Sequence, residues 1–235
     1  MQDFSAAFGE GWRLMLALDP ELIEIVALSL QVSLGAVALA ALIGLPLGAL
    51  LAVLRFPGRQ GVIVFLNALM GLPPVVVGLS VYLLLSRAGP LGPLGLLYTP
   101  EAMVVAQTIL VTPIIAALAR QSVEDLKGEY EEQLTVLGVG PLAAVFTLLW
   151  DGRYSLITAL LAGFGRAVAE VGAVIIVGGN IAHVTRVMTT TIALETSKGD
   201  LALAMGLGLI LLSITIAVNA LVGGLRLTAA RSAYA

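Results

Sequence analysis

Five stretches of this chain stay apolar for about 20 residues or more, the length a helix needs to cross ~30 Å of hydrocarbon. They run over roughly 26–53, 61–86, 100–119, 155–178 and 201–225. Backbone groups in lipid must bond within their own segment, so these stretches predict helices. The fold class expected is an all-α, polytopic integral membrane protein with five transmembrane helices. Charged residues make up only 11% of the chain, where soluble domains carry about a quarter. No segment between the spans can build a separate core, so residues 1–235 read as a single transmembrane domain.

An odd number of crossings puts the termini on opposite sides. Arg55, Arg59, Arg120, Lys127, Arg153, Arg226 and Arg231 fall on one side, and Arg13, Arg87, Arg186 and Lys198 on the other. The side richer in Lys and Arg is expected to be cytoplasmic, with the N-terminus outside. The start, MQDFSAAFGEGWRLMLALDPELIEI, has neither the basic lead nor the cleavage site of a signal peptide. The first span is therefore expected to direct its own insertion. Phe4, Phe8 and Trp12 recur every four residues, the spacing of a short helix lying aromatic side down in the outer interface. A frayed tail fits the same residues.

Several classes of function fall away. The chain has no cysteine, which excludes disulfides and thiolate metal sites. Its one histidine, His183, rules out a multi-His metal site within one chain. No basic cluster would track phosphates, so no nucleic-acid partner is expected, and no catalytic constellation stands out. Pro46, Pro73-Pro74 and Pro113 interrupt three of the spans, each freeing a carbonyl that neighbours must satisfy. Glycine-dense runs such as GLPLGALL and GFGRAVAEVG let helices approach closely. No internal repeat relates two halves of the chain.

The most polar segment lies between the third and fourth spans, about 120–154, and is placed on the cytoplasmic side. Within it EEQLTVLG reads as a helix stopping at Gly138, Val139-Gly140 as a turn, and Pro141 as the first residue of a new helix. The second piece, PLAAVFTLLW, is apolar enough to lie at the membrane surface. Apolar residues at 134, 136, 137 and 139 between acids suit a docking knob for another protein, or a loop packed on its own bundle.

The stretch from Glu132 to Gly138 resembles the EAA loop of ABC importer permeases, although Gln133 and Leu134 stand where that family has two alanines, and Leu148-Leu149-Trp150-Asp151 where many members have I-x-L-P. The fourth span, GFGRAVAEVGAVIIVGGNI, with the following TRVMTTTIALETSKGD, resembles the permeases of the molybdate/tungstate branch, most closely those of tungstate importers. The likeness extends back through PLGALLAVLRFPGR and forward through LALAMGLGLILL, so it covers nearly the whole chain.

The resemblance implies a type I ABC importer permease fold working as a homodimer, with the path along its two-fold axis. It implies a prokaryotic inner-membrane location and import of a tetrahedral oxyanion, tungstate first and molybdate or another oxyanion as the alternative. Two ATP-binding cassette subunits at the cytoplasmic face would hold ATP and Mg, and a binding protein outside would deliver the anion. The chain itself has no G-x-x-x-x-G-K-[ST] loop, so no cofactor and no catalysis are expected of it. The residues expected to couple to the ATPase are Glu131, Glu132, Gln133, Leu137, Gly138, Gly140 and Pro141.

Arg166 and Glu170 sit four apart within the apolar fourth span, where each charge costs ~2.5–3.5 kcal/mol on insertion scales. At that spacing they can pair on one helix face. Such a pair would line the pathway, hold a dimer seam or staple the helix to its neighbours. Gly172 beside it favours close approach of another helix. The outer segment 179–200 carries Asn180, Thr185, Arg186, Thr189 and Thr190, donors suited to passing an oxyanion that accepts hydrogen bonds and offers none; an ordinary polar loop accounts for them too. An ion-coupled carrier would need Glu170 as its coupling acid, and an intramembrane enzyme would need a nucleophile or metal set that the spans lack.

Overall fold

The computed structural model describes residues 8–9, 11–13, 16–17 and 19–233; the side chains at 222 and 225–233 are not described. Among the described residues the chain is helical with no strand. The helices are α1 (Pro20–Val53), α2 (Arg59–Leu69), α3 (Pro74–Leu85), α4 (Pro100–Val136), α5 (Pro141–Asp151), α6 (Arg153–Val168), α7 (Gly172–Gly178), α8 (Met188–Lys198) and α9 (Leu201–Ala233). Helices α1, α4 and α9 are each long and apolar enough to cross a membrane, and the number rises to five if the bent pairs α2–α3 and α6–α7 each form one span.

The centre of the fold is α1 lying against α4. Ala36, Ala40, Gly44, Gly48 and Ala52 recur every four residues along one face of α1. Small residues on that stripe let the backbones touch: a Cβ at Gly48 would stand 2.3 Å from Ala116 O and 2.8 Å from Arg120 N, and one at Gly44 would meet Thr112 O at 3.1 Å. Gly35 lies beside Val104, so the register rises together along both helices and they run parallel. Helix α6 runs antiparallel to α4. Gly163 faces Val111 and Ile115, and Ala167 lies one turn further along, at the level of Gln107. Val111, Ile115, Phe164, Ala167, Met188 and Leu207 form the core where α4, α6, α8 and α9 meet.

Two spans differ from single helices. The stretch 61–86 bends by 97° between α2 and α3. Proline 74 opens α3 and Pro73 is its N-cap, extended at ψ 123°. Adjacent prolines remove two amide donors and force the first out of helical geometry. Lone prolines do not have this effect here: Pro46 and Pro113 lie inside unbroken α1 and α4. The stretch 155–178 bends by 59° between α6 and α7, with no proline at the break.

Two further boundaries shift. The polar segment 120–154 is less a loop than the end of α4, which runs to Val136, followed by α5. The outer segment 179–200 is half helix, because α8 occupies Met188–Lys198. Of the N-terminal aromatic face, Phe8 and Trp12 are exposed, and Phe4 lies outside the described residues.

Polar groups mark both ends of the bundle. At one end Arg59 and Arg120 both pair with Glu124, Arg55 pairs with Glu131 at 3.4 Å, and Lys127 Nζ donates to Val53 O. At the other, Arg186 pairs with Glu21 at 3.4 Å and His183 Nδ1 lies 2.8 Å from Glu24. The cations that the sequence places on one side at 55, 59, 120 and 127 therefore gather at one end of the bundle.

Candidate functional site

The turn after α4 gathers every residue expected to couple. Glu131, Glu132, Gln133, Leu137, Gly138, Gly140 and Pro141 are all exposed. Its shape follows from local rules. Gly138 has φ +63°, its N–H donates to Thr135 O at 3.1 Å, and the Val139 N–H donates to Leu134 O at 3.0 Å. These two bonds make a Schellman cap, and Leu134 and Val139 both pack on the cluster that includes Val123 and Leu148. The cap turns Val136 and Leu137 outward; they are 87% and 75% exposed, an apolar tip flanked by acids. Pro141 then opens α5 at N1, where its missing N–H costs nothing. Val136 belongs to this tip as much as Leu137 does; its signal in the sequence was its place in the apolar run 134–139.

The charge pair forms, but not on one continuous helix face. Arg166 Nη1 lies 2.5 Å from Glu170 Oε2, while α6 ends at Val168 and α7 starts at Gly172, so Glu170 lies in the break between them. Glu170 is 3% exposed. Its second oxygen, Oε1, accepts from the Ala173 N–H at 3.0 Å, closing the first turn of α7. Two carbonyls beside the break have partners across the bundle: Gln107 Nε2 donates to Ala167 O at 3.0 Å, and Thr189 Oγ1 to Glu170 O at 2.8 Å. With both carboxylate oxygens of Glu170 and these two carbonyls bonded, the cost of the bend in an apolar interior is reduced.

Beside Glu170 lies a cavity of about 10 Å³ whose polar lining is Ser29, Ser33, Gln107, Glu170 and Thr189. Gln107 Oε1 is buried there without a partner. The space matches a single water molecule. Gln107 and Ser29, whose Oγ accepts from the Met188 N–H at 2.8 Å, escaped the sequence reading; their signal was being polar within spans. Gly172 brings the two bent spans together, since a Cβ there would meet Val75 Cγ2 at 3.1 Å.

The outer residues divide. Thr185 donates to Gly178 O at 2.6 Å and accepts from the Ile181 N–H. Thr190 donates to Asn180 Oδ1 at 2.8 Å, and Val187 O lies 3.0 Å from the same hydroxyl. Both are fully buried, and Thr189 nearly so. Within one chain, therefore, these hydroxyls hold the 178–191 segment in shape. Arg166, Asn180 and Arg186 remain partly accessible. Among the described residues no cluster of His, Asp and Glu would hold a metal.

No family model matches the chain. Individual proteins do. A probable anion ABC transporter permease protein of Haloferax volcanii is 42% identical over 205 residues, covering 85% of this chain and 88% of its own length. The tungstate uptake system permease protein TupB of Peptoclostridium acidaminophilum is 39% identical over 226 residues, 96% of this chain and 99% of its own. The TupB of Campylobacter jejuni is 38% identical over 165 residues, 70% and 69%. Molybdenum and sulfate transport permeases match at lower identity, 32% and 28%. Similarity of this extent, nearly end to end in the second case, settles the family. The chain belongs to the ABC transporter permeases, within the group that includes the tungstate uptake permeases.

Proposed function

We propose that this chain is the membrane-spanning subunit of an ATP-driven importer for tungstate. The observation that carries the reading is its 39% identity to a tungstate uptake permease across 99% of that protein. In this reading the exposed Val136–Leu137 tip and its acids enter a groove on a separate ATPase subunit, which holds ATP and Mg. A binding protein outside delivers the anion. Two copies form a homodimer around the path, because one bundle of this size encloses no through-pore of its own, and lipid surrounds them.

In this reading the chain crosses the membrane five times. Since α1 and α4 run parallel, the chain between them, residues 54–99, returns across the full thickness through α2 and α3. Asp19 and Glu21 line the same cleft as Asp200 and Ala202, so α9 begins at the end where α1 begins. Residues 137–200 therefore return as well, through α6 and α7. In this reading the basic end near Arg55, Arg59, Arg120 and Lys127 is cytoplasmic, with the N-terminus outside and the 131–141 turn inside.

Arg166 and Glu170 act in this reading as a bonded bend, with the accessible edge of Arg166 facing the path. The test is ATP-dependent uptake of labelled tungstate by the reconstituted complex, with molybdate and sulfate as competitors. Tungstate is expected to compete best. Equal or better competition by molybdate would reassign the substrate, and uptake without an ATPase would reject the reading.

A further inference from the structure

Helix α5 is apolar on two faces. Ala144, Val145 and Leu148 are buried against Ala49, Ala52, Val53 and Val123. On the opposite side Leu142, Phe146 and Trp150, spaced four apart, are 63%, 72% and 70% exposed. No charged side chain occurs from 141 to 150. A helix apolar all round needs a second cover.

The level of α5 in the bundle identifies that cover. It packs on Ala49–Val53, next to the Arg59–Glu124–Arg120 cluster and the Lys127 bond to Val53 O, which mark the water boundary at that end. Its last turn runs into α6 across a single residue, Gly152. There the Arg153 guanidinium stacks over two rings, 5.0 Å from the centre of Trp150 and 4.7 Å from that of Tyr154. It also donates to Trp150 O at 2.8 Å. Among the described residues no carboxylate pairs with Arg153. Tryptophan, tyrosine and arginine grouped at a water boundary are the composition of a membrane interface.

An open groove of about 470 Å³ starts at the same point. Its one charged lining group is Arg153, and its walls include Leu42, Leu45 and Pro46 of α1 and Leu156 and Leu160 of α6. Because α6 leaves the boundary at Arg153, the groove rises from that cation toward the middle of the bilayer for about two helical turns, ~10 Å. A cation at the polar end, aromatic rings beside it and an aliphatic trough above form complementary parts for one ligand.

We propose that Arg153 and this groove seat a phospholipid of the leaflet on the side of the 131–141 turn. The phosphate lies on the Arg153 guanidinium, an acyl chain lies along Leu42, Leu45, Leu156 and Leu160, and the Leu142–Phe146–Trp150 face lies in the headgroup layer. Helix α5 is thereby a float that fixes the height of the coupling turn against the bilayer. The inference does not depend on which anion is carried.

Three independent measurements test it in the full complex. Trp12→Phe leaves Trp150 as the sole tryptophan of this chain, and with partner subunits made free of tryptophan, lipids brominated near the headgroup are expected to quench it roughly twofold more than lipids brominated near the chain end, as for an interfacial ring. That quenching is expected to persist when the ATPase subunits are bound. A spin label on Phe146→Cys, placed in a chain without native cysteine, is expected to be more accessible to oxygen than to an aqueous nickel chelate. Arg153→Gln is expected to lose co-purified phospholipid without loss of the dimer. Quenching of Trp150 by iodide and not by lipid would overturn the proposal. So would lipid quenching abolished by the ATPase, which would give the face to that protein, or dipolar coupling between two labels at 146, which would give it to a second copy.

Discussion

Arg166 Nη1 stands 2.5 Å from Glu170 Oε2 across the helix break between Val168 and Gly172. The pair spans the bend rather than riding on a helix, and the carboxylate has a second duty at the Ala173 N–H. The two partners should therefore differ on mutation. Arg166→Met leaves a buried carboxylate without its cation and is expected to cost ~3 kcal/mol. Glu170→Gln keeps an acceptor for Ala173 and should cost less. Arg166→Met with Glu170→Gln together should recover much of the loss. Thermal unfolding in detergent across the four proteins measures this; additive losses would mean that the two side chains act independently. Uptake assays on the same set separate a path role from a staple, since a staple alone lowers stability before transport.

Helix α1 meets α4 through Gly48. A Cβ there would stand 2.3 Å from Ala116 O, a backbone atom that cannot swing aside. Gly48→Ala is expected to separate the two helices and destabilise the chain by about 1–3 kcal/mol, the usual scale of overpacking. Gly61→Ala, with nothing within 4 Å and a position in α2, should be neutral or slightly stabilising. Equal melting of the two variants would remove the small-residue stripe as the basis of the α1–α4 contact.

Gly138 offers a cleaner separation of shape from stability. Its φ is +63°, and an added Cβ would touch nothing, so Gly138→Ala brings conformational strain without a clash. Strain of ~1–2 kcal/mol in the left-handed region is expected to rearrange the Schellman cap and misdirect Val136 and Leu137. Permease-stimulated ATP hydrolysis should fall while the melting temperature of the transmembrane bundle stays nearly unchanged. Undiminished stimulation would detach the turn from coupling.

The sequence made the turn legible because glycine, proline and a short apolar run are local signals, and the Schellman cap is built from six consecutive residues. The α2–α3 bend was half legible: Pro73-Pro74 announced a breaker but not its 97° angle, which is set by packing against α7. The α6–α7 bend was not legible. Its cause is a carboxylate capping α7 together with Gln107 and Thr189, which reach from other helices to take the freed carbonyls. Nothing within residues 155–178 encodes those partners. The threonines at 185, 189 and 190 read as donors for a passing anion because their own acceptors, Gly178 O, Glu170 O and Asn180 Oδ1, only become visible in three dimensions.

The central claim is that the tip at 136–137 is the surface on which a separate ATPase acts. Leu137→Cys gives the cysteine-free chain a single thiol at an exposed position, to be labelled with a membrane-impermeant maleimide from either side of sealed vesicles, with and without the ATPase subunits. Labelling from the cytoplasmic side only, suppressed when the ATPase is bound, is the predicted result. Labelling from the outside, or an unchanged rate on adding the ATPase, would contradict it.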